Sequence, residues 1–107
     1  MKSKLSPHAR ALFRSIIQTI VQKQSVDDGL QWQTKIEDAV LTLEDFPEIG
    51  TGVPLECFET IPPNVDNLRQ TFCRPYRIVY EVIGNEIHVL SIRHSRMLVA
   101  GTDTYWN

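Results

Sequence analysis

The chain has 107 residues, 42% of them apolar, and a formal net charge of −2. A chain of this length buries about two-thirds of its unfolded surface, so a single domain over residues 1–107 is expected and disorder is disfavoured. No run approaches the roughly 20 consecutive apolar residues of a membrane span, and basic side chains interrupt any export signal near the N-terminus. Two cysteines without metal or disulfide-scaffold spacing fit a reducing cytoplasm.

The charges are segregated along the chain. Residues 1–26 carry five Lys or Arg and no acid, residues 27–66 carry ten acids and one Lys, and residues 67–107 carry five Arg and three acids. A guanidinium grips a phosphate or a carboxylate through two parallel hydrogen bonds, which an ammonium cannot do. The five arginines are therefore candidates for target binding, although ordinary surface ion pairs explain them equally well. They are Arg69, Arg74, Arg77, Arg93 and Arg96.

Two amphipathic helices are predicted in the first half of the chain. Ser6-Pro7 has the residue types of an N-cap and a first helical residue, and the apolar stripe that follows predicts a helix ending near Lys23. After a short polar connection at residues 25–28, a second stripe over residues 32–43 predicts another helix, which Pro47 ends. So short a connection makes the pair an antiparallel hairpin that needs an apolar platform.

The second half is predicted to be a small antiparallel sheet. Turn residues dominate residues 46–67, where only 53–58 has the character of a short edge strand. A strand region begins at residues 67–72, and two strongly β segments, 76–83 and 86–94, flank a Gly-Asn turn. The fold class is therefore α+β, with the helical hairpin packed on one sheet face.

A two-residue turn also predicts which side chains share a face. It pairs Glu81 with His88, Val79 with Leu90 and Arg77 with Ile92. The face for the helices is nearly all apolar and comprises Tyr76, Ile78, Tyr80, Val82, Ile87 and Val89. The other face is mixed and partly wet, and comprises Arg77, Val79, Glu81, His88, Leu90, Ile92 and His94, followed by Arg96 if the strand continues.

The polar members of that second face have two interpretations. As structure, Glu81 and His88 form a cross-strand pair and the arginines solubilise the sheet. As function, the arginines hold an anion such as an RNA phosphate beside a histidine able to move a proton near neutral pH. Elsewhere, His8 is expected on the surface and Trp32 in the core, and residues 105–106 form either a lid on the sheet or a disordered tail. With no phosphate loop, metal pattern or nucleophile elbow, neither a cofactor nor a metal is implied.

The run from Tyr76 to Val82, followed by Ile87 to Arg96, resembles the C-terminal half of the RelE/ParE toxin superfamily. A Leu-Ser-Pro entry at residues 5–7 and a Phe-Pro-x-x-Gly turn at residues 46–50 extend the similarity over nearly the whole chain. Members are toxins of type II toxin–antitoxin, or plasmid stabilisation, systems of bacteria. The resemblance implies growth inhibition and a small antitoxin that neutralises it, and it also allows a homodimer.

The superfamily divides by mechanism. In its ribosome-dependent mRNA endonucleases, which need no metal, the resemblance assigns phosphate contacts to Arg77 and Arg96 and the general acid to His94, with Glu81 as a candidate base. The ParE-like branch instead poisons DNA gyrase without known catalysis. The Phe-Pro-x-x-Gly turn, the His-Ser-Arg ending and the acidic net charge favour this second branch. An inactive relative that serves as a binding module is a third alternative.

Overall fold

Two long helices precede most of a five-stranded sheet in the computed structural model, which describes residues 1–106. The elements are β1 (Lys2–Leu5), α1 (Pro7–Lys23), α2 (Val26–Asp45), β2 (Thr51–Gly52), β3 (Leu68–Cys73), β4 (Tyr76–Ile83) and β5 (Glu86–His94). The strand order is β1-β5-β4-β3-β2, and every neighbouring pair is antiparallel except β1 with β5. The helical hairpin packs on one face of this sheet, which confirms the α+β class.

The helices begin where their capping residues predict. The Ser6 hydroxyl accepts a hydrogen bond of 2.9 Å from the Ala9 amide, and the Ser25 hydroxyl accepts one of 3.0 Å from the Asp28 amide. Each bond satisfies a donor that the first helical turn leaves free. The second helix therefore starts inside the stretch expected to be a polar connection, and the hairpin turns within two residues.

Sequence analysis missed strand β1, as it did the two-residue strand β2. Strand β1 lies parallel to β5, with Leu5 opposite Val89, and makes the sheet mixed rather than purely antiparallel. Along its outer edge the Glu44 carboxylate accepts hydrogen bonds from the Ser3 amide at 3.2 Å and the Ser3 hydroxyl at 2.6 Å. These two bonds lower the pKa of Glu44. A strand of four residues with two lysines has no apolar alternation to reveal it, and charges of this kind are common on edge strands.

The β4–β5 hairpin keeps its predicted register only next to the turn. Gly84 has a φ of +61°, which suits glycine, and Glu81 lies opposite His88 as expected. Opposite Val79 and Tyr80, β5 then contains one extra residue, Leu90, and this β-bulge shifts the ladder by one residue. The pairs beyond it are Val79 with Ser91, Ile78 with Ile92, Arg77 with Arg93 and Tyr76 with His94. The predicted pairs Val79–Leu90 and Arg77–Ile92 are therefore wrong.

The bulge also changes which side chains face the helices. Because side chains alternate between faces with a period of two, a shift of one residue moves the end of β5 to the opposite face. Ile92 is fully buried in the core beneath the helices, and the His94 ring lies 6.1 Å from the ring of Tyr76. Both were expected on the second face, so that assignment is wrong for the last part of β5.

The sheet has an apolar core on each face. The core beneath the helices comprises Ala9, Ile36, Val40, Leu43, Ile78, Tyr80, Ile87, Val89 and Ile92. The core on the second face comprises Val53, Phe58, Leu68, Val79, Leu90 and Val99. A β-bridge between Phe58 and Val99 joins the two chain segments that cover it. The second face is thus covered by the chain segments that contain Phe58 and Val99. Residues 55–57 form a 3-10 turn instead of the expected edge strand.

The Phe-Pro-x-x-Gly turn is built around the hydroxyl of Tyr80. That hydroxyl donates to the Pro47 carbonyl at 2.8 Å and accepts from the Gly50 amide at 2.9 Å. A Cβ atom at Gly50 would lie 2.4 Å from the Tyr80 oxygen and 2.7 Å from the Gln70 carbonyl oxygen. Only glycine fits this position, because the sheet backbone cannot move aside.

Candidate functional site

Arg77 lies on the second face of β4 and is buried, with 9% of its surface exposed. Its guanidinium donates to the Met97 carbonyl at 3.3 Å and to the Cys57 sulfur at 3.5 Å, and it lies 5.8 Å from the Phe72 ring. No carboxylate lies within 4.0 Å of Arg77 in the part of the chain that the structure describes, and its Nε atom has no partner. Arg77 therefore stabilises the chain segments at Met97 and Cys57 that cover the sheet, and its side chain is buried.

Arg93 lies directly opposite Arg77 but is neutralised by Asp103. The Asp103 carboxylate is fully buried and accepts hydrogen bonds from the Arg93 guanidinium, the Ser91 hydroxyl and the His8 ring. Burial disfavours ionisation of this carboxyl, but the bonds from Arg93 and His8 outweigh it, so the pKa of Asp103 lies below its ordinary value. His8 is thus a partner in a buried cluster, and its expected surface role is wrong.

The histidine and arginine after the bulge are separated from Arg77. His94 packs edge-on against Tyr76 on the helix side, and its Nδ1 atom accepts a 3.1 Å hydrogen bond from the Arg96 amide. Arg96 is exposed in the turn that follows β5. The expectation that Arg77, Glu81, His88, His94 and Arg96 share one face is therefore wrong, because the bulge places His94 on the other side of the sheet.

Glu81 and His88 lie opposite each other, yet the histidine interacts elsewhere. Its Nε2 atom is 3.3 Å from a carboxylate oxygen of Glu86, and the Trp106 ring lies 4.6 Å from the His88 ring. Hydrogen bonds from Lys4 and then from His88 lower the pKa of Glu86. The structure corresponds to the lid alternative for the C-terminal aromatic residues, since Trp106 covers a side chain of the second face.

The other two arginines have different environments. Arg69 donates a 2.9 Å hydrogen bond to the Gly50 carbonyl and so supports the turn around Tyr80. Arg74 is exposed beside β4, with its guanidinium 4.7 Å from the Phe72 ring. Of the five arginines expected to bind a target, Arg74 and Arg96 are therefore the two with exposed side chains.

An open groove of about 330 Å³ runs between α1 and the end of the sheet. Its apolar lining comprises Leu12, Ile16, Ile20, Tyr76, Ile92 and Met97. Arg93 and His94 also border it and add polar groups at one end. Sequence analysis did not predict this groove, because its two walls come from distant parts of the chain and the bulge alone places Ile92 there.

Residues 1–106 contain no group of three or more His, Cys, Asp or Glu side chains placed to hold a metal ion. Neither α1 nor α2 has the length and apolar character that crossing a membrane requires.

Comparison with known proteins identifies the family. Residues 4–99 match the family described as the ParE toxin of the type II toxin-antitoxin system, parDE. The chain belongs to the ParE toxin family. A solved structure titled "Chromosomal ParDE TA system from P. aeruginosa" has the same fold, with a TM-score of 0.68 and 24% identity over 88% of this chain and 95% of that one. No curated protein matches the chain significantly.

Membership of the ParE family agrees with the features that carried the resemblance. The turn around Tyr80 and the strands β4 and β5 lie within the matched residues, whereas Asp103 and Trp106 lie beyond them. The comparisons therefore support the toxin family and the fold, but the match to the family does not extend to Asp103.

Proposed function

We propose that this chain is the toxin of a type II toxin–antitoxin pair and that it inhibits bacterial growth in the cytoplasm by binding DNA gyrase. The observation that carries the proposal is the separation of His94 from Arg77 by the sheet. A nuclease of the related branch needs an acid and cations around one phosphate. A binding inhibitor needs only a surface that contacts its target. The exposed arginines at positions 74 and 96 supply positive charge to such a surface.

The proposal is tested by inducing the chain in bacteria and following two readouts in parallel. We expect DNA cleavage complexes of gyrase to accumulate while mRNA on translating ribosomes stays intact. The variant His94→Gln keeps a polar side chain of similar size at this position. Because glutamine cannot act as an acid near neutral pH, a gyrase inhibitor carrying this change should retain its toxicity. Cut mRNA that disappears in this variant would instead identify a nuclease, and normal growth with neither lesion would identify an inactive relative.

A small antitoxin is the second part of the proposed function. The groove between α1 and the end of β5 offers an apolar floor to an amphipathic segment of such a partner. Co-expression with the product of the adjacent gene should restore growth and yield a complex on affinity purification. Leu12→Glu should weaken the complex, whereas Leu55→Glu, an exposed site on the opposite side of the sheet, should not. A complex equally insensitive to both variants would place the antitoxin elsewhere.

A further inference from the structure

The start of α1 and the last described residues lie side by side. The His8 ring, in the first turn of α1, is hydrogen-bonded to the Asp103 carboxylate of the C-terminal 3-10 turn. Shortly after Asp103, the Trp106 ring packs against the His88 ring of β5, with 4.6 Å between the ring centroids. These two contacts hold the indole of Trp106 next to α1, although the two lie at opposite ends of the described chain.

An open hollow of about 410 Å³ lies between Trp106 and α1. Its lining combines an indole, three apolar side chains and two guanidinium groups, from Leu5, Pro7, Arg10, Ala11, Arg14 and Trp106. The contact with His88 leaves 44% of the surface of Trp106 exposed, so the indole offers a stacking surface. Small-molecule sites in proteins enclose about 300 to 1,000 Å³ and have mainly apolar walls with a few polar groups, and this hollow has both properties.

The two guanidinium groups of this hollow have no anionic partner within the described chain. Among residues 1–106, neither Arg10 nor Arg14 lies within 4.0 Å of a carboxylate. Helix α1 contains no acidic residue, so the helix itself offers them no counterion. Because the two arginines are one helical turn apart, they share one side of α1, with about 6 Å between their Cβ atoms. Two uncompensated positive charges therefore border the hollow beside an exposed aromatic ring.

We propose that this hollow binds a nucleoside monophosphate, with its base stacked on Trp106 and its terminal phosphate held by Arg10 and Arg14. A terminal phosphate carries a charge of about −1.5 to −2 at pH 7, which two guanidinium groups neutralise through paired hydrogen bonds. An internal phosphodiester carries a single negative charge and matches them less well. Every base has an aromatic face that stacks on an indole. Since no lining residue carries a carboxylate or an amide to read a base edge, purines are preferred only through their larger stacking area.

The first test follows the fluorescence of Trp106 in the full chain. Trp32, the other tryptophan, is changed to phenylalanine, which keeps an aromatic ring against Tyr76. Titration with adenosine 5′-monophosphate should quench the emission of Trp106, with a dissociation constant below about 1 mM. Adenosine lacks the phosphate and ribose 5-phosphate lacks the base, so each should bind at least about tenfold more weakly. If either compound binds as tightly as the nucleotide, the proposal is wrong.

Variants measured by calorimetry assign the two contacts. Arg10→Gln with Arg14→Gln should weaken binding of the nucleotide at least about tenfold and leave binding of adenosine unchanged. Trp106→Leu should weaken nucleotide binding at least about fivefold, and Trp106→Tyr, which keeps a stacking ring, should weaken it less. Lys2→Gln with Lys23→Gln is the matched control, because it removes the same charge from exposed positions outside the hollow and should leave the affinity unchanged. Circular dichroism checks that every variant is folded.

A short oligoadenylate distinguishes a free nucleotide from the 5′-phosphorylated end of a strand, which presents the same base and phosphate. The phosphorylated strand should bind at least about tenfold more tightly than the mononucleotide if a strand end is the ligand, and no more tightly if the free nucleotide is. A 5′-hydroxyl strand that binds as tightly as the mononucleotide would overturn the proposal, because it has no terminal phosphate. So would an absence of quenching by the mononucleotide at about 10 mM, or binding that survives the loss of both arginines or of the indole. None of these outcomes bears on gyrase or mRNA as the target.

Discussion

At the scale of single residues, Asp103 stands out as a charged group that is buried and held by several hydrogen bonds. It is fully buried, and its carboxylate joins the start of α1, the end of β5 and the C-terminal 3-10 turn through His8, Arg93 and Ser91. Such a group stabilises the fold only while it is ionised and paired, since removing one partner leaves a buried charge uncompensated. The stability it contributes must therefore depend on pH.

We expect Asp103→Asn to lower the free energy of unfolding by about 3 kcal/mol at pH 7. The folded-state pKa of Asp103 lies below its ordinary value of 3.8, so its contribution is complete above that pH and is lost as the pH falls through the folded-state pKa. The difference between wild type and variant should consequently shrink below about pH 4. Urea unfolding at several pH values measures it, with the exposed Asp66→Asn as the control. A difference that stays constant down to pH 2 would contradict the ionised assignment.

At the scale of elements, the helical hairpin depends on one close approach. A Cβ atom at Gly29, in the second turn of α2, would lie 2.4 Å from Cγ2 of Val21 on α1. Glycine is a poor helix former, by about 1 kcal/mol relative to alanine, so its presence here is explained by the space it leaves. The tight connection between the helices follows from this contact as much as from the Ser25 cap.

Gly29→Ala should therefore destabilise the protein by about 1 to 3 kcal/mol, even though alanine favours a helix. Val21→Ala removes the clashing methyl groups, and the double variant should be more stable than the sum of the two single effects predicts. Thermal unfolding of the four proteins completes the cycle. Strict additivity, or a stabilising Gly29→Ala, would show that α1 and α2 separate readily at this point.

At the scale of the whole molecule, the C-terminal segment completes the second core. Val99 is buried beside Phe58, and its amide donates a 2.8 Å hydrogen bond to the Cys57 carbonyl. The same segment supplies the Met97 carbonyl that receives Arg77. Removing this segment would expose the apolar side chains of the second face to solvent. It would also remove hydrogen-bond partners of Arg77 and Arg93.

Ending the chain after Leu98 should lower the melting temperature by at least about 10 °C and increase binding of a hydrophobic dye. Ending it after Thr104 keeps Val99 and Asp103 and should change the melting temperature by no more than about 4 °C. Calorimetry and dye fluorescence on both truncated chains provide the comparison. Equal effects of the two truncations would mean that residues 105 to 107, and not the second core, stabilise the sheet.

Features that depend on neighbouring residues were predictable from the amino-acid sequence. Caps at Ser6 and Ser25, the helical stripes, the β4–β5 turn and the pair Glu81–His88 all follow from interactions within a few positions. The family resemblance rested on the same local patterns. These features were predictable because each residue type favours its local conformation whatever the rest of the chain does.

Features that join distant positions became apparent only in the folded chain. The bulge in β5 separates His94 from Arg77, yet no residue type marks it, because the extra residue, Leu90, is accommodated by packing in the core of the second face. The cluster of Asp103 with His8 spans 95 positions, and the pairing of β1 with β5 spans more than 80. Such contacts arise from how the elements pack, so a local pattern does not specify them, and they determine which side chains of the candidate site meet.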